Sequence, residues 1–218
     1  AKPYVVLLAS ACVVLTWFRN DLFYMGGDAA YPIDGELGLT RMLNMWHYYD
    51  AGGINWVGTA YWYQYLLFFV VSKVGLDIVF AQRLYIYSFF AISGVSMGYL
   101  LGLFLPRERY RTVAQVIGAF SYQFGPAVLG FQDNSIWFPY ACAPMTFALF
   151  VGLVRSNKMI KQVKFAILFG ISLFGYLGYF PEYASGLVMF FMIAVYSFGL
   201  LVLKRVKANR LLIAWIMV

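Results

Sequence analysis

Long apolar runs separated by short polar connections make up most of the chain. The clear runs extend over Tyr4–Phe18, Leu84–Leu105, Thr112–Gly130, Ile136–Val154, Phe165–Phe180 and Tyr183–Leu203, and Leu211 begins another. Continuous runs of this kind predict membrane helices, whereas the strands of an outer-membrane barrel would alternate apolar and polar residues. The pattern therefore predicts an all-α fold, a polytopic transmembrane helix bundle over residues 1–218 with about six or seven spans.

Composition supports this prediction. Of 218 residues, 63% are hydrophobic and 11% are charged, whereas a soluble domain is about 45–50% apolar and about 25% charged. A soluble globule and a disordered chain are both excluded. The two cysteines, Cys12 and Cys142, lie within apolar runs and are predicted to be core thiols. The run from Leu211 to Val218 is too short to cross a bilayer, so we expect the sequence to be part of a longer protein with further domains or subunits.

Basic residues form three clusters between the apolar runs. They are Arg107, Arg109 and Arg111, then Arg155, Lys158, Lys161 and Lys164, then Lys204, Arg205, Lys207 and Arg210. Clusters in this position act as topology signals and should face the cytoplasm. The net charge of +7 is therefore explained by membrane topology, and nucleic-acid binding is excluded as its cause. The connections at Gln132–Ser135 and Pro181–Glu182 contain acids and no Lys or Arg, and should face outward.

The stretch Thr59–Gly75 is apolar enough for a helix but, at seventeen residues, marginal as a span. If it lies on the outer surface, twelve basic residues are inside and four outside; if it crosses, the count is thirteen against three. Counting Lys and Arg therefore leaves both topologies open. The aromatic and polar group at Tyr61–Tyr65 favours the outer interface, which would make residues 25–80 a first outer loop with juxtamembrane helices.

The richest polar stretch is Gly26–Glu36, directly after the first apolar run. Its glycines and Pro32 shape the backbone so that Asp28, Asp34 and Glu36 can converge. Convergent carboxylates suit a general base or a divalent-cation site, and the sequence leaves both open. Asp34 is equally suited to cap a following helix. No helix pattern follows Asp28 at once, so it is the stronger functional candidate.

Other candidate residues lie at the ends of the apolar runs. Arg83 precedes a span, where a guanidinium can either hold a phosphate with two parallel hydrogen bonds or anchor the helix at the interface. Asp133 and Glu182 lie at the outer ends of different spans, where they either join Asp28 in one site or belong to ordinary loops. His47, beside Trp46, is typical of an interface residue. Nucleotide-binding motifs are absent from the sequence, which favours a lipid-carried substrate.

The order of several short motifs is similar to that of a known family. Gly27-Asp28 opens the acidic loop, an amphipathic stretch ends near Met45-Trp46, and Thr59-Ala60-Tyr61 opens the aromatic helix before Gln82-Arg83-Leu84. Ala119-Phe120-Ser121-Tyr122 with Pro126, and Pro139 with Ala141 and Pro144, follow. Over roughly residues 10–155 the chain resembles the integral-membrane glycosyltransferases of GT-C architecture, most closely the amino-terminal part of the mycobacterial-type alpha-(1→3)-arabinofuranosyltransferases. It departs from them at Ile136, where a Glu is expected, and at Phe180-Pro181-Glu182.

The resemblance implies an enzyme of the cytoplasmic membrane with its site on the extracytoplasmic side. Its donor would be a polyprenyl-phosphate-linked sugar, and its acceptor a glycan or glycolipid. Asp28 would be the catalytic base and Arg83 would stabilise the departing phosphate, with Asp34, Asp133 and Glu182 as candidate substrate-binding residues. No cofactor follows from it, and a divalent cation stays open. Two other interpretations compete: a transporter or channel subunit, and a non-catalytic accessory subunit of a membrane complex.

Overall fold

Every regular element in the described part of the chain is a helix. The computed structural model describes residues 2–17, 36–37, 39–40, 62–106, 109–125, 137–177, 183–203, 206, 211–212 and 214–215. Its helices are α1 (Lys2–Ala11), which continues as a 3₁₀ helix over Cys12–Trp17, α2 (Trp62–Lys73), α3 (Ile78–Phe104), α4 (Arg111–Gln123), α5 (Trp137–Arg155), α6 (Met159–Leu177) and α7 (Tyr183–Val202). The predicted all-α fold class is confirmed for these residues.

Among the described helices, α3 alone is long and apolar enough to cross a membrane. Its 27 residues extend about 40 Å, compared with about 30 Å for the hydrocarbon core. Shorter apolar helices cover Pro3–Trp17, Tyr140–Arg155 and Val188–Val202. One spanning helix is a weak indication of a membrane protein, because a core helix of a soluble protein has the same length and composition. The six or seven spans therefore stay a prediction.

Three predicted boundaries differ from the observed helices: the start of α3, the end of α4, and the start of α6, which begins at Met159 and not at Phe165. α3 begins at Ile78 and not at Leu84, because the Asp77 carboxylate accepts a hydrogen bond from the Phe80 backbone N–H at 2.6 Å and caps the helix. The predicted continuous helix Thr112–Gly130 is wrong, since α4 ends at Gln123. The sequence Gly125-Pro126 explains that end, because a residue before proline disfavours the helical conformation.

The helix predicted over Thr59–Gly75 is observed as α2, with residues 59–61 outside the described part of the chain. α2 ends before Gly75, whose φ of 81° starts the turn into α3. Twelve residues extend about 18 Å, which is less than the hydrocarbon thickness. α2 packs back along the start of α3, with the rings of Tyr63 and Tyr85 6.0 Å apart.

α3 is the central helix, and α1, α2, α4 and α5 pack on it. α1 is antiparallel to it: Leu7 packs at Gly98, while the Trp17 ring meets Phe90 edge-on at 5.4 Å. α4 is also antiparallel, and α5 runs parallel. α6 returns along α5, where the Thr146 and Ser172 hydroxyls are 2.6 Å apart. With the short α2 left aside, which also runs antiparallel to α3, the helices α1, α3, α4, α5 and α6 alternate in direction, as they would in a bundle crossed repeatedly by one chain.

Small residues let α3 approach α4 closely. Gly94, Gly98 and Gly102 are four positions apart on α3, so they lie on one face. A Cβ on Gly94 would lie 2.9 Å from the side-chain amide carbon of Gln123, and a Cβ on Gly102 would lie 3.0 Å from Nε2 of Gln115. Both glutamines are buried, and they use the space that the glycines leave.

Gln123 joins three helices through hydrogen bonds. Its Nε2 donates to the carbonyl oxygens of Leu7 at 3.2 Å and of Phe90 at 3.0 Å, while its Oε1 accepts from the Ser10 hydroxyl at 2.8 Å. Gln115 likewise donates to the Gly98 carbonyl on α3. Because a buried amide costs free energy unless it is hydrogen-bonded, these contacts fix the register of α1, α3 and α4.

Basic side chains gather at one end of the bundle, which we call the basic end. Its described members are Arg109, Arg111, Arg155, Lys158, Lys161 and Lys164. Arg111 donates to the Gly102 carbonyl, and Nη1 of Arg155 donates to the Leu103 carbonyl at 3.0 Å, so both meet the last turns of α3. Arg107 and the third basic cluster lie outside the described residues. The α3–α4 and α5–α6 connections thus place their cations at the same end of the bundle, as a common cytoplasmic side would require.

Candidate functional site

Arg83 lies in the second turn of α3, at the end of the bundle opposite the basic end. Because Asp77 caps the helix at Ile78, residues 80, 83, 84 and 87 follow one another along one face. Together with the 3₁₀ helix after α1 they line a groove of about 430 Å³; its lining residues are Cys12, Leu15, Phe80, Arg83, Leu84 and Tyr87. The three- and four-residue spacing along α3 therefore places these side chains in the groove with Arg83.

The groove combines one cation with apolar walls. Arg83 is half-buried, whereas Phe80 and Leu15 are 43% and 40% exposed. The Tyr87 hydroxyl donates a long hydrogen bond of 3.5 Å to the Leu8 carbonyl on the opposite wall. A guanidinium offers two parallel N–H donors to a phosphate or carboxylate. The arrangement suits a molecule with an anionic head and an apolar body better than a fully polar ligand.

Glu36, the last residue of the acidic stretch, connects that stretch to the end of α2. Its carboxylate forms an ion pair of 2.6 Å with Nζ of Lys73, the last residue of α2. Both side chains are more than half exposed, so the pair contributes little stability. It does fix position 36 beside the α2–α3 turn. This pairing could not be predicted from the sequence, because nothing local relates two residues 37 positions apart.

Two members of the aromatic and polar group at Tyr61–Tyr65 are packed within the protein. Gln64 is 1% exposed, and Tyr63 contacts Tyr85. Burial raises the pKa of the Tyr63 phenol above its ordinary value, and a hydrogen bond with Ser88 opposes that shift. Tyr63 therefore stays neutral at physiological pH, and its part in the molecule is to hold α2 against α3.

The other predicted site residues lie outside the described part of the chain: Asp28, Asp34, Asp133 and Glu182, and with them His47. That these residues lie close to Arg83 stays a prediction, and so do their roles. Among the described residues, no three His, Cys, Asp or Glu side chains form a group that could hold a metal ion.

The sequence did not reveal that Cys12 and Tyr87 line the groove. Cys142 is buried, which confirms one predicted core thiol, but Cys12 is exposed and the prediction for it is wrong. An apolar run does not reveal which of its faces meets other helices, and Cys12 lies on the face turned to the groove. Tyr87 was not recognised either. Its spacing of four from Arg83 was the available signal, because residues four apart share a helix face.

Comparison of the chain with protein-family models, with curated proteins and with solved structures gives no match.

Proposed function

We propose that this protein is a membrane glycosyltransferase of GT-C type that uses a polyprenyl-phosphate-linked sugar. The observation that carries the proposal is the apolar groove that contains Arg83. A polyprenyl phosphate has an anionic head on a long apolar tail, and both parts match the groove: the guanidinium suits the phosphate, and the walls formed by Leu15 and Phe80 suit the isoprenoid.

The proposed bundle crosses the membrane six or seven times. Its support is the length of α3, the alternating helix directions, and the apolar outward faces of α6 and α7, where Ile171, Phe191 and Phe198 are each more than 60% exposed. Large exposed apolar faces indicate contact with lipid or with another protein. We assign the basic end to the cytoplasm and the Arg83 end to the extracytoplasmic side, which leaves twelve of sixteen basic residues inside.

In the proposed reaction, an acceptor hydroxyl oxygen attacks the anomeric carbon of the donor sugar. The bond from that carbon to the phosphate oxygen breaks, the hydroxyl proton passes to the Asp28 carboxylate, and polyprenyl phosphate leaves. Arg83 would stabilise the charge that develops on the departing phosphate. Asp34, Asp133 and Glu182 would bind the sugar or the acceptor. These carboxylates are also of the kind that bind a divalent cation.

The ion pair of Glu36 with Lys73 is compatible with a shared site. Asp28 precedes Glu36 by eight positions, and eight residues extend at most about 27 Å. Asp28 therefore has the reach to approach the groove from the α2–α3 turn. A spanning α2 would instead place the loop that contains Asp28 on the opposite side of the membrane from Arg83, so the proposal requires α2 to stay at the outer interface.

The test is sugar transfer from a polyprenyl-phosphate donor by the purified protein. Asp28→Asn should lower turnover by about 10²- to 10⁴-fold, the usual contribution of a general base. Arg83→Lys should also lower it substantially, since an ammonium loses the two-pronged contact with phosphate. Arg109→Lys, a matched change at the basic end, should leave turnover unchanged. Equal activity of Asp28→Asn and the parent would remove Asp28 from the mechanism, and equal activity of Arg83→Lys would remove Arg83.

A further inference from the structure

A second cleft lies at the basic end, which is the end of the bundle opposite Arg83. It has a volume of about 450 Å³ and lies between α3, α5 and α6. Tyr99, Leu149, Phe165 and Leu168 contribute to its apolar lining, and Lys161 and Lys164 stand at its rim. Leu149 is buried and both lysines are exposed, so the cleft has an apolar floor beneath two cations. None of these residues belongs to the proposed glycosyltransferase site.

The two lysines are available to a ligand. They are three positions apart near the start of α6, which places them one above the other on the same face. Within the described residues neither lysine has an ion-pair or hydrogen-bond partner. Arg111 and Arg155, by contrast, are engaged with backbone carbonyls of α3.

Among the described residues, the charge at this end is of one sign. Six described cations gather there, while the two described acids, Glu36 and Asp77, belong to the opposite end. The cations nearest the cleft thus meet no described carboxylate. An anion is the complementary ligand for the rim, and an alkyl chain is complementary to the floor. A soluble anion would leave the apolar floor unused, and a zwitterionic lipid would bring no net charge to the lysines.

We propose that this cleft binds an anionic glycerophospholipid of the cytoplasmic leaflet. Its phosphate lies between Lys161 and Lys164, and one acyl chain enters the cleft against Leu149 and Phe165. Basic pockets between membrane helices on the cytoplasmic side are suited to such headgroups. The inference requires only that the basic end meets that leaflet. It does not depend on the proposed glycosyl transfer, and it stands or falls separately.

The test uses phosphatidylglycerol with a photoreactive diazirine in one acyl chain, added to the purified protein in phosphatidylcholine nanodiscs. After irradiation, mass spectrometry of the peptides maps the adducts. We expect adducts on the peptides that contain Leu149 and Phe165, and much weaker labelling by phosphatidylcholine carrying the same diazirine. Equal labelling by the two lipids would overturn the proposal, as would stronger occupancy of the cleft by a polyprenyl phosphate in competition.

Charge variants separate a specific site from general attraction. Lys161→Gln with Lys164→Gln should raise the phosphatidylglycerol fraction for half-maximal labelling about 25-fold, about fivefold per lysine, which corresponds to ~1 kcal/mol for each cation. Arg109→Gln with Lys158→Gln removes the same charge at the same end from residues that do not line the cleft, and should raise that fraction clearly less, because neither side chain contacts the phosphate. Equal effects of the two double variants would contradict a site in the cleft.

A third variant tests the apolar half of the proposal without altering charge. Leu168 lines the cleft and is 38% exposed, so Leu168→Trp has room to turn its ring into the space for the acyl chain. Labelling of the cleft should fall although both lysines remain, and the thermal unfolding temperature should stay near that of the parent. Undiminished labelling in this variant would show that the chain does not enter the cleft.

Discussion

Replacement of Gly94 by alanine tests the close packing of α3 on α4. In an exposed helix interior alanine is more favourable than glycine by about 0.8–1.0 kcal/mol. At Gly94, however, a Cβ would lie 2.9 Å from both Cδ and Oε1 of Gln123. Three hydrogen bonds hold that amide, to Leu7, to Phe90 and from Ser10, so it cannot move aside freely. The local gain and the steric cost therefore act in opposite directions.

The expected balance is a net loss. If the amide moves aside, it loses three hydrogen bonds, which contribute on average about 0.6 kcal/mol each between membrane helices, at a cost of about 2 kcal/mol; if it stays, overpacking of the tight core costs about 1–3 kcal/mol. After the helix-propensity gain is subtracted from either cost, Gly94→Ala should destabilise the fold by about 1 kcal/mol and by no more than about 2 kcal/mol. Gly170→Ala is the matched control, because a Cβ there meets nothing within 4 Å. That variant should stabilise the protein by up to about 1 kcal/mol.

The assay is unfolding in mixed micelles with increasing dodecyl sulfate, followed by circular dichroism. Shortening the obstructing side chain supplies a second test: Gln123→Ala makes room for the new Cβ, so the losses in the double variant should be less than additive. The reasoning is refuted if Gly94→Ala and Gly170→Ala change the free energy of unfolding in the same direction, or if Gly94 and Gln123 show no coupling.

Three further predictions concern single side chains. Asp77→Ala should lower the unfolding free energy by about 1 kcal/mol through loss of the α3 cap, whereas Asp77→Asn, which still caps, should change it little; equal losses would contradict the cap. Lys73→Gln should cost less than about 1 kcal/mol, because its ion pair with Glu36 is exposed, and a larger loss would contradict that. A small maleimide should modify Cys12 in the folded protein and Cys142 only after unfolding, with Cys12→Ser as the control.

The helices could be predicted from the sequence because apolar runs and basic clusters are local signals. The α5 run was recognised within one residue at each end, whereas α6 begins six residues before the predicted run; Arg155 and Lys158 indicated the turn between them. Local chemistry also explains the boundaries that were predicted wrongly. Asp77 was available as a cap, but the polar pair Gln82-Arg83 interrupts the apolar pattern after it and placed the predicted start at Leu84. Gly125-Pro126 was available as a helix stop, but the continuing apolar pattern outweighed it.

The remaining features depend on residues far apart in the chain. Burial of Gln123 requires a glycine at position 94 to leave space, and its partners Leu7 and Phe90 belong to two other helices. The groove at Arg83 likewise requires the 3₁₀ helix that carries Cys12 and Leu15 to pack beside α3. Arg83 itself could be selected from its place before a span. The residues that form the walls of the groove could not, because hydropathy does not specify which helices are neighbours.

The central claim is that the Arg83 groove holds the phosphate and tail of a polyprenyl-linked donor, and its most direct test is to locate that donor on the protein. A polyprenyl-phosphate sugar with a photoreactive group near the phosphate should label the peptides that contain Cys12 and Phe80–Tyr87. Labelling should fall strongly in Arg83→Gln and persist in Lys161→Gln with Lys164→Gln. Labelling that is confined to the basic end, or that is unchanged in Arg83→Gln, would contradict the proposed site and with it the proposed function.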